Sequence, residues 1–270
     1  MAYNNFKATV WSHHIQRELE KYTVMEEYCN YDFEGEAKKG NRVKILGVAR
    51  PTIGDYTGGS IGSPEKVADS SVYLDINQAK YFNFLVDDID KAQSSGELMQ
   101  ALLAEAAAGL AEARDSFIAS MAVDAGFISP SLQIATAEAA KKAVDDAFVW
   151  LWNNSVKISE ELCITVSPWF YNLLKDKLTD IYTDNRDLIK KGVIGNYNGA
   201  IVKLSNNLYS DGTDEYMMIR TKKAIAFAGQ ISETEAYSPE DLFADAVKGL
   251  DTYGAKVVRP KELYVVRAHK

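Results

Sequence analysis

The sequence contains few of the residues on which disulfide scaffolds and metal centres depend. Of its 270 residues only two are cysteine, Cys29 and Cys163, and only three are histidine. Two cysteines so far apart cannot form a disulfide framework or a four-thiolate zinc site. We therefore expect buried free thiols, and we predict neither a metal nor a cofactor.

Long apolar runs and clustered positive charge are also missing. No stretch approaches the roughly eighteen consecutive apolar residues of a membrane helix, and the first residues lack the apolar core of a signal peptide. This predicts a soluble protein that is not secreted and has no membrane partner. The formal net charge of -8 argues against a protein that binds phosphate groups tightly, because phosphate affinity comes from clustered Lys and Arg side chains.

The patterns of common catalytic sites are absent as well. His13 and His14 are adjacent, so on a helix they point in different directions, and only His269 remains. No G-x-S-x-G or H-E-x-x-H motif occurs, and the glycines between 54 and 62 lack the following lysine and hydroxyl pair of a P-loop. We predict that the protein is not an enzyme. An α/β hydrolase or binding protein that uses carboxylates is the alternative left open.

Residues 96–125 form the longest helical pattern in the chain, rich in alanine and free of proline. Such a helix would extend roughly 45 Å at about 1.5 Å per residue, more than a small compact domain needs. The pattern therefore favours an elongated subunit built along this helix. Apolar residues at steps of three and four predict its buried face: Leu98, Leu102, Ala106, Leu110, Ala113, Phe117 and Met121.

Residues 40–78 change to a period of two, which predicts a long hairpin. Val43 and Ile45 lie in its first strand and Val72, Leu74 and Ile76 in its second, with a glycine-rich stretch between them. A two-stranded ribbon is at best marginally stable alone. It therefore needs a surface to lie on, and no partner is evident nearby in the sequence.

The second half of the chain predicts a small α/β unit followed by more strands. An amphipathic helix starts near Thr136 and another at Ser167 and Pro168, where serine is the N-cap and proline the first helical residue. The predicted strands are 162–166, 200–204, 216–220, 224–228, 243–250, 252–258 and 263–268. In the simplest arrangement the last strand rejoins the sheet beside the long helix, which makes the α/β unit an insertion.

Four features, in this order, resemble the major capsid proteins of tailed bacteriophages that have the HK97-like fold. The hairpin between RVKILGV and SVYLDINQ is similar to the extended E-loop of that family, and YFNFLVDDID with the alanine-rich helix is similar to its strand and spine helix. ITVSPWFYNLL and KGVIGNYNGAIVKLSNNLY resemble its axial domain. GLDTYGAKVVRPKEL resembles its final peripheral strands.

The resemblance implies an α+β chain in three parts. Residues 1–35 would form an N-terminal arm. Residues 36–130 and 231–270 would form a peripheral domain that includes the E-loop (40–78) and the spine helix (96–125). Residues 131–230 would form the α/β axial domain.

By this resemblance the protein is the structural subunit of a virion. Hexamers and pentamers of the chain would assemble in the host cytoplasm into an icosahedral or prolate head, which encloses double-stranded DNA without reading its sequence. The implied partners are further copies of the chain, a portal protein and a decoration protein. Because the arm before the E-loop has only thirty-five residues, a scaffolding domain has no room, and we expect a separate scaffolding protein. An encapsulin nanocompartment shell is the alternative with the same fold.

The resemblance to this family also explains why the hairpin and the arm have no partners nearby in the sequence, because both would lie on neighbouring subunits. The apolar residues of these two segments are the predicted contacts between subunits: Trp11, Ile15, Leu19, Val43, Ile45, Tyr56, Ile61, Val72 and Leu74. Some family members cross-link an E-loop lysine to an asparagine of a neighbour, for which Lys44 and Lys66 are the candidates. Nothing in the sequence selects a partner asparagine or a catalytic acid, so we predict no cross-link.

Overall fold

The computed structural model describes residues 15, 18–19, 22–33, 42–45, 71–87, 97–157, 160–175, 193–237 and 244–270. The helices with bounds in these ranges are α1 (Glu97–Ser120), α2 (Ala137–Asn153) and α3 (Pro168–Leu174). The strands are β1 (Arg42–Ile45), β2 (Val72–Asp75), β3 (Gln78–Asp87), β4 (Phe127–Ile128), β5 (Leu132–Gln133), β6 (Leu162–Val166), β7 (Val193–Tyr197), β8 (Ala200–Leu204), β9 (Glu215–Thr221), β10 (Ile225–Tyr237), β11 (Ala244–Val257) and β12 (Leu263–His269).

Helix α1 is the predicted spine helix and has 24 residues. A 3₁₀ turn, Met121–Asp124, follows it directly. The predicted buried face was wrong by one position: most of the residues chosen are half-buried, and the buried set is Leu103, Ala107, Leu110, Ala111, Arg114, Asp115, Ile118, Ala119 and Ala122. The sequence prediction passed over this face because two charged residues lie in the middle of it.

Beside the spine helix lies an antiparallel sheet with strand order β10-β11-β3. Phe82, Phe84 and Val247 of this sheet pack against the apolar side chains of α1. Strand β11 is one continuous strand, whereas the sequence predicted two strands interrupted at Asp251. Asp251 does not interrupt the strand because its buried carboxylate is paired with Arg114 of the spine helix.

A seven-stranded sheet forms the second layer, with strand order β4-β12-β9-β6-β8-β7 and β5 paired to β12. Helix α2 covers one face of it through Phe148 and Leu151. The other face packs against the end of α1, where Ile118 meets Met218 and Val265. The C-terminal end of the spine helix therefore lies on this sheet, and its N-terminal half lies on the three-stranded sheet.

The final strand does not join the three-stranded sheet, which lies along the spine helix, so that prediction was wrong. Strand β12 lies inside the seven-stranded sheet, antiparallel to β9 and parallel to β4 and β5. The reason is its two apolar faces: Val266 faces the core under α2, whereas Leu263 and Val265 face the core at the end of α1. A strand buried on both faces is stable only between two packed layers.

Strands β1 and β2 pair antiparallel, from Arg42 opposite Asp75 to Ile45 opposite Val72. They are the base of the predicted hairpin, and we call these two strands the ribbon base. The remainder of the hairpin, residues 46–70, lies outside the described residues. Beyond the ribbon base, β11 passes so close that Gly254 has no room for a side chain against the backbone of Asp75 and Ile76.

Candidate assembly surfaces and the buried clasp

Two of the predicted contact residues in the N-terminal arm lie inside their own chain. Ile15 and Leu19 are helical and buried. They pack with Leu103, Leu110 and Val247 in the cluster between the spine helix and the three-stranded sheet. These two side chains stabilise the subunit itself and are not exposed to a neighbour.

The ribbon base behaves in the same way on one of its faces. Val43, Ile45 and Leu74 are buried against Ala226 and Ala228 of β10. The surface that the sequence left unidentified is thus a strand of the same chain, far away in sequence. Val72 is half-buried, and Trp11, Tyr56 and Ile61 lie outside the described residues.

The opposite face of the ribbon base is polar and open. Arg42 pairs with Asp75 across the two strands, and its guanidinium lies 5.1 Å from the ring centre of Tyr73. Tyr73 is itself exposed. A neighbouring subunit that met this face would find an aromatic ring and an ion pair already held in place.

Two further groups of exposed apolar side chains lie on regular elements. On β3, an edge strand of the three-stranded sheet, Tyr81 is 80% exposed and Leu85 is 45% exposed. On α2, Val149 is 52% exposed and Trp152 is 38% exposed. These are surfaces that sequence reasoning missed, because their residues alternate with buried ones in patterns that also build a core.

Residues 23–30, which we call the clasp, contact the spine helix and both sheets. The Asp115 carboxylate of the spine helix accepts hydrogen bonds from the backbone N–H groups of Val24, Met25 and Glu26 at 2.8, 3.0 and 3.2 Å.

The clasp also contacts both sheets. Arg220 of β9 donates a hydrogen bond to the carbonyl of Tyr28 and another, at 2.8 Å, to the carbonyl of Met25. At the end of the clasp, Asn30 forms an isolated parallel bridge with Ala226 of β10.

Charged side chains surround the clasp in the interior. Arg114 donates from Nη1 to Glu26 Oε1 at 2.8 Å and from Nε to Asp251 Oδ2 at 2.8 Å. Lys203 of β8, itself buried, donates to the carbonyl of Val24 at 3.0 Å and pairs with Glu27. The clasp is therefore held by charged groups and backbone hydrogen bonds in addition to the buried side chains of Met25 and Cys29, and an apolar pattern in the sequence does not indicate these polar contacts.

Burial changes the titration of the carboxyl groups in this cluster. It raises the pKa of Glu26 to about 7, and although the Arg114 charge opposes the shift, the nearby Asp115 and Asp251 charges add to it. Burial also raises the pKa of Asp115, against the effect of its three backbone hydrogen bonds. The Cys29 thiol has its pKa raised to about 11 by burial, so it is no nucleophile at neutral pH.

Serine, histidine and aspartate side chains meet at the end of β12, but their arrangement is not that of a hydrolase. Ser131 Oγ and His269 Nδ1 both contact the same atom, Asp214 Oδ1, at 2.9 and 2.6 Å. The hydroxyl is also 3.4 Å from that Nδ1, whereas a catalytic serine must face the ring nitrogen opposite the aspartate. Arg267 pairs with Asp214 as well. This cluster connects the end of β12 to the two loop segments that contain Ser131 and Asp214.

No further chemistry is suggested within the described part of the chain. No group of three or more His, Cys, Asp or Glu side chains is placed there to hold a metal ion. None of the described helices combines the length and the apolar character that spanning a membrane requires.

Comparison with known proteins gives structural matches. No family model matches the chain, and no curated protein does. A protein of Mycobacterium phage Che8 is 34% identical with a TM-score of 0.70, and the match covers 90% of each chain. The mature capsid of bacteriophage PhiM1 gives 16% identity and a TM-score of 0.61, over 86% of this chain and 83% of that one. A virus-like particle from Pyrococcus furiosus gives 11% identity and a TM-score of 0.61, over 96% and 99%.

The spine helix, the ribbon base and the two sheets define an α+β protein of the HK97-like capsid fold, as the sequence predicted. The chain belongs to the major capsid proteins of tailed bacteriophages. It is a structural component of the phage capsid that associates with itself, and it is not an enzyme. The likeness to the archaeal particle is a likeness of fold alone, because identity is only 11%.

Proposed function

We propose that this capsid protein assembles as hexamers and pentamers into a closed head, and that the head encloses double-stranded DNA without sequence-specific contacts. The observation that carries the proposal is the 34% identity to the mycobacteriophage protein over 90% of both chains. The overall charge of -8 supports a wall that DNA can lie against without binding tightly.

The proposed division into domains follows the sequence prediction, with one change. Residues 36–130 and 231–262 form the peripheral domain with the ribbon and spine helix, and residues 131–230 form the axial domain. We assign β12 to the axial domain because it pairs with β9 in the seven-stranded sheet. Residues 1–35 are the N-terminal arm, whose clasp is bound to both domains.

The proposed set of residues that contact neighbouring subunits differs more from the sequence prediction than the domain division does. Val72 stays in the set because it is only half-buried, and Trp11, Tyr56 and Ile61 stay as predictions from the sequence. The five side chains that are buried in their own chain are removed. Tyr73 and Tyr81 replace them as exposed aromatic residues on the ribbon base and on β3. Many weak contacts of this kind reinforce one another in a closed ring.

The proposed partners are a separate scaffolding protein, a portal protein and a decoration protein. Negative-stain electron microscopy with light scattering tests the central proposal, with the chain expressed alone and together with a scaffolding protein from the same genome. We expect rings or irregular shells from the chain alone and uniform shells with the scaffold. A chain that stays monomeric in both preparations would contradict assembly, whereas uniform shells from the chain alone would contradict only the separate scaffold.

We also expect no covalent cross-link between subunits. Lys44 is in β1 opposite Tyr73, and Lys66 lies outside the described residues. Assembled shells boiled in denaturant should run as full-length monomers in electrophoresis. A ladder of multimers that disappears when Lys44 or Lys66 is replaced by arginine would overturn this expectation.

A further inference from the structure

The clasp contains a carboxyl group whose two oxygens have different surroundings. Glu26 Oε1 accepts a hydrogen bond from Arg114 at 2.8 Å, whereas Oε2 is buried and no donor among the described residues reaches it. An ionised carboxylate with one unpaired oxygen in the interior is costly. A proton on Oε2 removes the negative charge from this unpaired oxygen, which is the larger part of the cost, and leaves the bond between Oε1 and Arg114 intact.

The charges around this carboxyl group favour the same proton. Arg114 is shared between Glu26 and Asp251, so one guanidinium faces two buried carboxylates. Asp115, on the next residue of the spine helix, adds a third. The other buried cations near the clasp, among the described residues, have partners of their own: Arg220 binds carbonyl groups, and Lys203 pairs with Glu27.

We propose that the clasp is a proton-sensitive joint: a proton on Glu26 holds residues 23–30 against the spine helix, and loss of that proton loosens them. The clasp bridges the spine helix to the seven-stranded sheet through Arg220 and to the three-stranded sheet through Asn30. Loosening it therefore removes one polar connection between the two sheets, which leaves the apolar cluster around Ile118 as the contact that they share. The inference concerns contacts inside one chain and does not depend on the proposed architecture of the head.

The direction of the pH effect follows from the cluster. Burial raises the pKa of Glu26 in the closed clasp from 4.5 to about 7, so the closed clasp holds the proton more tightly than an open one. The stabilisation is then complete below the lower value and is lost as pH rises through 7. Burial raises the pKa of Asp115 too, which acts in the same direction. Tyr28, Cys29 and Tyr253, the other titratable groups nearby, have pKa values raised by burial and stay neutral there.

Hydrogen exchange of the full-length protein, followed by mass spectrometry and corrected for intrinsic rates, tests the joint. The amides to follow are those of Val24, Met25 and Glu26, which donate to Asp115, and that of Phe227, which donates to Asn30. Between about pH 5.5 and about pH 8.5 we expect their protection to fall about tenfold or more, with most of the fall below pH 7 and a plateau above it.

Variants separate the joint from a general effect of pH. Glu26→Gln imitates the protonated acid and should keep its protection at both pH values. Asp251→Asn removes the competing carboxylate and should move the pH at which the fall in protection ends to a lower value. Glu112→Gln changes an exposed carboxylate on the same helix and should leave the wild-type profile unchanged.

The proposal fails in either of two cases. If protection of the clasp in the wild-type protein is flat across this pH range, the joint does not sense protons. If Glu26→Gln keeps the pH dependence of the wild type, another group is responsible. The wild-type profile decides the first case by itself, even if a variant does not fold.

Discussion

Replacing Arg114 with alanine is expected to destabilise the unassembled chain by about 3–5 kcal/mol, because removing one partner of a buried ion pair leaves an uncompensated charge. Here the fully buried Asp251 carboxylate loses its cation, and the Glu26 side chain, which is 8% exposed, loses the donor to its Oε1. The arginine also lies over the rings of Phe227 and Tyr253 at 5.6 and 5.7 Å, and that packing is lost as well. Urea unfolding followed by tryptophan fluorescence measures the change.

Two comparisons separate the ion cluster from the loss of side-chain volume. Arg259→Ala removes the pair between an exposed arginine and the half-buried Glu262, and because Glu262 keeps its hydrogen bond from Thr221 the change should cost less than about 1 kcal/mol. Arg114→Met combined with Glu26→Gln and Asp251→Asn removes the arginine together with its two carboxylate partners and should recover much of the loss. If that triple variant is as unstable as Arg114→Ala, the uncompensated carboxylates are not the cause.

The buried charges also mark where sequence reasoning stops being reliable. Strands β6 and β8 have the predicted bounds, because a short run of apolar residues between turn signals is typical of a strand buried on both faces. The spine helix was predicted by its length and alanine content, but its buried face was not. Arg114 and Asp115 lie on that face, and a pattern search that assigns charged residues to the solvent must select the neighbouring positions.

The clasp shows the same limit more strongly. Residues 23–30 include two adjacent glutamates among a few apolar residues, and the sequence assigned them only to the N-terminal arm. Their structure depends on Asp115 and Arg220, which are about 90 and 190 residues away. A pairing over that distance leaves no local signal in a single sequence.

Five of the nine residues predicted to contact neighbouring subunits are buried inside their own chain, for a related reason. Ile15, Leu19, Val43, Ile45 and Leu74 were selected as apolar residues in segments without a local partner. Each has a partner in its own chain, on the spine helix, in the ribbon base or on the three-stranded sheet. Apolar character predicts burial, but it does not distinguish burial inside a subunit from burial between subunits.

Replacing Gly254 with alanine is expected to lift the ribbon base from the subunit. A Cβ at this position would lie 3.0 Å from the Ile76 Cα and closer still to the Asp75 carbonyl oxygen. Both neighbours are backbone atoms, which cannot rotate away as a side chain could. We expect a loss of about 1–3 kcal/mol in the free energy of unfolding, as for other overpacked sites, together with loss of closed shells in electron microscopy.

The spine helix supplies the matched control for this prediction. Gly109 lies inside α1, and a Cβ there would meet nothing within 4 Å among the described residues. Gly109→Ala should therefore stabilise the chain by up to about 1 kcal/mol through helix propensity and should leave assembly intact. The ribbon base begins the segment that we propose reaches neighbouring subunits, so a small displacement at Gly254 grows along its length. If Gly254→Ala forms shells as well as Gly109→Ala does, the direction in which the ribbon leaves the subunit does not control assembly.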